Sequence, residues 1–222
     1  MLYLHDGQNC FDASTSFAGE WRADETATEL IEAGKIQPII MVAIANAGAA
    51  RIDEYTPTRD QTRARGGSGK LYAKFLTDEL KPFIDSHYRT LTDREHTGVC
   101  GSSLGGLISL YLGYQHGDVF GMCGVMSPSL FWDDQQLLKA IESDPAPLKR
   151  ERIWLDIGTA EGPPEEAGAN VANVQWLAVT LKKAGLIEGT DFSSRTIEGA
   201  QHNEKAWADR FGNVLQFFFA KS

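Results

Sequence analysis

Apolar positions along the chain fall into two alternating patterns. Short unbroken runs at residues 2–5, 38–45, 96–101, 120–126, 152–158 and 192–197 predict strands, the run at 38–45 being apolar throughout, as in a strand covered on both faces. Between them lie helical stripes at residues 21–33, 71–87, 104–114, 167–184 and 204–219. In the third stripe Leu104, Leu107, Ile108, Tyr111 and Leu112 follow the spacing of one helix face. Gly34 closes the first helix and Pro82 is expected to kink the second. Residues 46–69 read as a long polar loop carrying Arg51, Arg59, Arg63, Arg65 and the glycine-rich run 66–69. Strands separated by helices predict an α/β fold: a mostly parallel sheet of about six strands in a three-layer sandwich. Reactive groups are then expected just past the carboxyl ends of the strands.

Composition narrows the picture. The chain has 222 residues, 42% hydrophobic and 23% charged, which suits a single α/β domain over residues 1–222 and excludes disordered, collagen-like and coiled-coil classes. No apolar run approaches the ~20 residues of a membrane helix, and no secretory signal is visible at the start. A net charge of −9 argues against nucleic acid or an anionic membrane as partner. The three cysteines, Cys10, Cys100 and Cys123, show no C-x-x-C spacing and read as reduced thiols in a cytoplasmic protein.

Gly101-Ser102-Ser103-Leu104-Gly105 is the chain's one G-x-S-x-G match, and it stands between an expected strand and an expected helix. In that setting the motif is a nucleophile elbow, which projects a serine hydroxyl above the sheet. Ser103 is the expected nucleophile, and the N–H of Leu104 faces the developing oxyanion. Serine needs a base. His87 and His116 sit at helix C-termini, His96 lies at the wrong end of its strand, and His5 precedes the serine. His202, in the loop between the last strand and the last helix, fits the order Ser, acid, His. Glu161, just past a strand end, is the first choice of acid, with Asp133 or Asp134 as runner-up and Asp156 read as structural. The second oxyanion donor is expected from the N–H of Gly7 or Gln8.

Taken together, the runs 3–9, 51–57, 92–96, 126–129 and 199–203 and the Gly-Ser-Ser-Leu-Gly-Gly elbow resemble the putative-esterase branch of the α/β-hydrolases. The resemblance spans nearly the whole chain. It implies a Ser-acid-His hydrolase of carboxylic esters, in a branch that includes acetyl, feruloyl and siderophore esterases. Ser103 and His202 match the nucleophile and base of that branch, and Glu161 matches the acid, where related feruloyl esterases carry Asp. Members of the branch usually have two strands ahead of the one matched by residues 2–5. In the usual strand order the 38–45 strand then becomes a sheet edge, which suggests a homo-oligomer paired there.

A Walker A loop at residues 64–71 is excluded, because Ala64 and Leu71 stand where Gly and Ser or Thr are required, and no zinc spacing occurs, so no cofactor or metal is expected. Phe131 and Trp132 either wall a substrate pocket or pack under a loop. Arg51 either binds substrate or pairs with Asp53 and Glu54. The leading expectation is a serine carboxylesterase acting on short-chain or aryl esters. A non-catalytic binding protein of the same fold, or an acyltransferase using the same residues, is the alternative.

Overall fold

A computed structural model of the chain describes residues 1–16 and 18–221. Strand β1 (Leu2–His5) is buried on both faces and leads into a tight 3-10 turn at Gly7–Asn9. Helix α1 (Ala23–Glu32) ends before Gly34, whose φ of 68° is the left-handed stop expected there. β2 covers only Met41–Ile44, shorter than the apolar run, since Pro38 has no N–H for a ladder.

Residues 46–69 are more structured than a loop. They hold helix α2 (Arg51–Tyr55) and a small antiparallel hairpin of β3 (Arg59–Asp60) and β4 (Arg65–Gly66). The Asp60 carboxylate builds the hairpin turn by accepting from Thr62 N–H at 2.9 Å, the Thr62 hydroxyl at 2.6 Å and Arg63 N–H at 3.0 Å.

The second helical stripe divides into α3 (Gly69–Phe75), a π-helical turn at Leu76–Leu80, and α4 (Lys81–His87). The irregularity thus falls ahead of Pro82, which occupies the first turn of α4, where its missing N–H is tolerated.

β5 (Gly98–Ser102), α5 (Leu104–Gln115) and β6 (Met122–Met126) follow as expected. α6 (Trp132–Ser143) is an additional helix, opened by three left-handed residues, Asp133, Asp134 and Gln135. β7 (Arg152–Ala160), α7 (Pro164–Lys183), β8 (Phe192–Gln201) and α8 (Glu204–Phe219) complete the chain.

The six long strands form one sheet in the order β2-β1-β5-β6-β7-β8, every neighbouring pair parallel. Side chains alternate across it. Leu2, Leu4, Cys100, Met122 and Trp154 pack under α1 and α8, whereas Tyr3, Val99, Cys123 and Val125 pack under α3 to α7. This is the three-layer sandwich expected from the sequence. Strand order reverses between β1 and β5, so the connections leave their carboxyl ends in opposite directions and open a crevice there. Among the described residues no helix is long and apolar enough to cross a membrane.

Candidate active site

Ser103 stands at the crevice, between the end of β5 and the start of α5. Its φ of 59° and ψ of −123° are a conformation that side chains other than glycine rarely adopt. The surroundings hold it there. Its N–H donates to the Met126 carbonyl at 3.1 Å, and its carbonyl accepts from Leu107 and Ser129 N–H, each at 3.1 Å. Gly101 is required because a Cβ there would stand 2.9 Å from the Gly105 backbone. Leu104 opens α5, so its N–H has no acceptor one turn back in its own helix. The Ser103 hydroxyl lies 3.4 Å from that of Ser129.

Glu161 follows β7 directly and is 2% exposed. One carboxylate oxygen, Oε1, accepts from the Ser127 hydroxyl at 2.5 Å and from Gly158 N–H at 2.7 Å. The other, Oε2, lies 2.8 Å from Nδ1 of His202. Burial acts to raise the Glu161 carboxyl, yet the hydrogen bonds from His202, Ser127 and Gly158 outweigh it and hold the group below the usual carboxylate range. With Nδ1 engaged, Nε2 is the His202 nitrogen left for chemistry. The ring meets Trp207 edge-on, centroids 4.9 Å apart. Asn203 fixes this loop to α8 by capping it, its side chain accepting from Ala206 N–H at 2.9 Å.

The other histidines serve elsewhere. His5 is buried, its Nδ1 lies 2.9 Å from the Tyr72 hydroxyl, and burial pushes it down to about 4. His87 ends α4 and His116 caps α5. His96 pairs with Asp93 at 2.6 Å. Of the alternative acids, Asp134 pairs with Lys139 at 2.6 Å, and Asp133 shares the left-handed run that opens α6. Asp156 is fully buried against Arg210 and Trp154, the structural placement expected of it.

The loop after β1 differs in its reasons from the expectation. Gly7 is needed because a Cβ would stand 2.5 Å from the backbone of Ala43 and Ile44, so its close approach is to β2. Gln8, and not Gly7, lines the crevice. Arg51 pairs with neither Asp53 nor Glu54. It grips Asp6, which lies in the left-handed region with φ 55°. Asp53 instead accepts from Gly66 N–H at 2.7 Å, and Glu54 from Ala47 N–H at 3.4 Å.

The crevice encloses about 690 Å³, and Gln8, Trp21, Arg51, Ser103, His202 and Trp207 are among the residues that line it. Its aromatic walls are Trp21 and Trp207, ring centroids 6.2 Å apart. Phe131 and Trp132 are not part of that lining. Trp132 is buried, its indole N–H donates to the Thr58 carbonyl at 2.8 Å, and the Arg63 guanidinium lies over both rings. Sequence reasoning missed Trp21, Trp207, Ser127 and Arg210. Trp207 carried one signal, an indole in the first turn of the helix that follows His202.

A family model described as "Putative esterase" matches residues 1–218. The uncharacterized protein YbbA of Bacillus subtilis (strain 168) is 26% identical over 231 aligned residues, covering 100% of this chain and 86% of that protein. The endo-1,4-beta-xylanase/feruloyl esterase of Xylanibacter ruminicola is 26% identical over 99% of this chain, which spans only 26% of its length. The crystal structure of the enterobactin esterase FES from Shigella flexneri, in the presence of 2,3-di-hydroxy-N-benzoyl-glycine, is similar with a TM-score of 0.77 at 21% identity. That likeness, over 98% of this chain and 52% of that one, shows the fold.

Proposed function

We propose, from the premise that this chain belongs to the putative esterase family and is by that membership a hydrolase of carboxylic esters, that Ser103, His202 and Glu161 carry the reaction. The observation behind the reading is the 2.8 Å bond from His202 to a buried carboxylate, in a crevice that also exposes a strained elbow serine. Ser103 and His202 line the same crevice, and the Ser103 hydroxyl, 3.4 Å from that of Ser129, has to leave that neighbour to meet Nε2 of His202. Oγ then adds to the ester carbonyl while Nε2 of His202 takes its proton. Charge collecting on the carbonyl oxygen meets the N–H of Leu104, at the positive end of α5, and the N–H of Gln8 or Gly7. The bond to the alcohol breaks as the imidazolium returns the proton to the leaving oxygen. Water, deprotonated in turn by His202, cleaves the acyl-enzyme. Glu161 holds the imidazole in the required tautomer and stabilises its charged form.

Substrate preference follows from the walls. Trp21 and Trp207, 3% and 5% exposed, show only their margins to the crevice, and Arg51, Gln8 and Glu204 offer polar groups beside them, which suits an aryl or a short-chain ester. Feruloyl in the name of one relative fits the first of these. Labelling by a fluorophosphonate, lost in Ser103→Ala, is the deciding experiment. A wild-type protein that is folded, unlabelled and inert toward p-nitrophenyl acetate overturns the reading.

We also propose a homo-oligomer paired at β2. This edge is half-buried and wholly apolar, whereas the opposite edge, β8, carries Arg195 and Glu198. A monomeric mass by light scattering refutes it. We place the protein in the cytoplasm on its three free, buried thiols; exclusively extracellular protein after cell fractionation refutes that.

A further inference from the structure

Two carboxylates lie buried beneath His202, and one cation serves them both. Asp156, within β7, is 0% exposed, Glu161 is 2% exposed and Arg210, on α8, is 5% exposed. The Arg210 Nε donates to Asp156 Oδ1 at 3.0 Å, and its Nη2 donates to the Ser127 hydroxyl and to Glu161 Oε1, the latter at 3.4 Å. Ser127 links the same pair from the backbone side. Its N–H donates to Asp156 Oδ1 at 3.2 Å and its hydroxyl to Glu161 Oε1 at 2.5 Å. The Trp154 and Trp207 indoles complete the arrangement, donating to Asp156 Oδ2 at 2.7 Å and to the Ser127 hydroxyl at 2.9 Å. Buried charges are stable only when paired, and removing one partner leaves the other uncompensated. Asp156, Glu161 and Arg210 together carry a net charge of −1, which an imidazolium at His202 brings to zero.

We propose that Arg210 is a positioning residue for ester hydrolysis: it neutralises Asp156, so that His202 works against one carboxylate instead of two, and it holds Glu161 Oε1 so that Oε2 faces Nδ1. This rests on the assignment of Glu161 and His202 made above. Other charged groups around the cluster are Glu204 on α8, Arg195 in register with Asp156 on β8, and the Asp6–Arg51 pair across the crevice. The buried Cys100 thiol also feels Asp156, and burial and that charge both raise it. None of these groups is altered in the test.

The sign is set by counting charge. Burial works to raise the Asp156 carboxyl against its bonds from Arg210, Trp154 and Ser127. Without Arg210, an ionised Asp156 leaves His202 facing two buried anions, and its charged form is favoured. Without the Asp156 charge, one anion and the guanidinium remain, and the neutral form is favoured. The low-pH limb of kcat/KM follows His202, because the base must be neutral to accept the serine proton.

The experiment compares wild type, Arg210→Met, Asp156→Asn and the double variant. Two quantities are read: the pH profile of kcat/KM, and the NMR titration midpoint of the His202 imidazole, which does not depend on turnover. Arg210→Met is expected to raise midpoint and limb by about half a pH unit or more and to lower kcat ~10- to 100-fold with little change in KM. Asp156→Asn is expected to lower both midpoint and limb. The double variant is expected to return the midpoint to within ~0.3 unit of wild type, while the share of kcat lost with the hold on Glu161 Oε1 stays lost. Lost activity with an unmoved midpoint in Arg210→Met, or a midpoint that does not return in the double variant, overturns the proposal. Should Arg210→Met fail to fold, the near-isosteric Asp156→Asn decides alone, and an unmoved midpoint there overturns it. Midpoints that move as expected while hydrolysis is unaffected overturn instead the role of His202 as base.

Discussion

Arg51 closes on both oxygens of Asp6, Nε to Oδ1 at 2.6 Å and Nη2 to Oδ2 at 2.7 Å, so a residue of α2 holds the turn that leads into Gly7 and Gln8. Asn46 adds a bond to Asp6 Oδ1 at 2.6 Å, and the Tyr55 hydroxyl accepts the Asp6 N–H at 3.0 Å. Bidentate Arg–carboxylate pairs fix geometry as well as charge. Arg51→Ala is expected to lower kcat ~10- to 100-fold, more than it raises KM, because a displaced oxyanion loop fails mainly in the transition state. The pair is partly open to water, so stability falls by only about 1–2 kcal/mol. Steady-state kinetics and urea unfolding check both parts; an effect on KM alone would make Arg51 a substrate-binding residue.

With Ser103 as the proposed nucleophile, its backbone strain is expected to set stability against catalysis. Ser103→Gly is expected to abolish hydrolysis and, since glycine adopts φ 59° freely, to raise Tm by ~1–4 °C despite its greater entropy when unfolded. Calorimetry on the two proteins tests this, and a lower Tm in the variant refutes it.

Glu161→Gln keeps the shape of the acid and removes its charge. Loss of kcat on the order of 10³- to 10⁴-fold is expected, with KM little changed. Asp133→Asn and Asp134→Asn are expected to stay within about threefold of wild type, since neither side chain belongs to the His202 cluster. A large loss in either would return the acid to that earlier position.

His5 gives the fold its own pH response. Burial lowers it from 6.5 to about 4, so between those values the unfolded chain binds a proton that the folded chain refuses. Stability therefore falls as pH drops through that window, by about 2 kcal/mol between pH 7 and pH 5. Urea midpoints at the two pH values measure it, and in His5→Gln the His5 part of the slope is expected to vanish. An equal slope in both proteins refutes the assignment.

Gly7→Ala tests the packing of the oxyanion loop on β2. Its methyl would stand 2.5 Å from strand backbone, which cannot yield as a flexible side chain can. A destabilisation of about 3 kcal/mol or more is expected, with kcat reduced in whatever folds. Near-wild-type thermal unfolding would show that the loop stands off the strand.

Much of this was legible in the sequence because its signals are local. Helix 204–219 was read with the bounds it has, since Asn203 caps it and an apolar stripe runs along it. The elbow was readable from two glycines flanking Ser103 at fixed spacing, and Glu161 from its place just after an apolar run. The illegible parts depend on contacts far apart in the chain. The 59–66 hairpin is held by polar turn bonds around Asp60 and has no apolar period. The left-handed opening of α6 has no glycine to announce it. Arg210 is one charged position in an amphipathic helix, and nothing local marks it as buried between two carboxylates. Trp21 and Trp207 face each other only once α1 and α8 share a side of the sheet.

Helix α8 supplies the edge-on ring against His202 and the guanidinium between the two acids. Undocking of residues 204–219 would therefore unseat His202 and uncover both buried carboxylates in a single event, so the crevice depends on a helix that contributes nothing to the sheet.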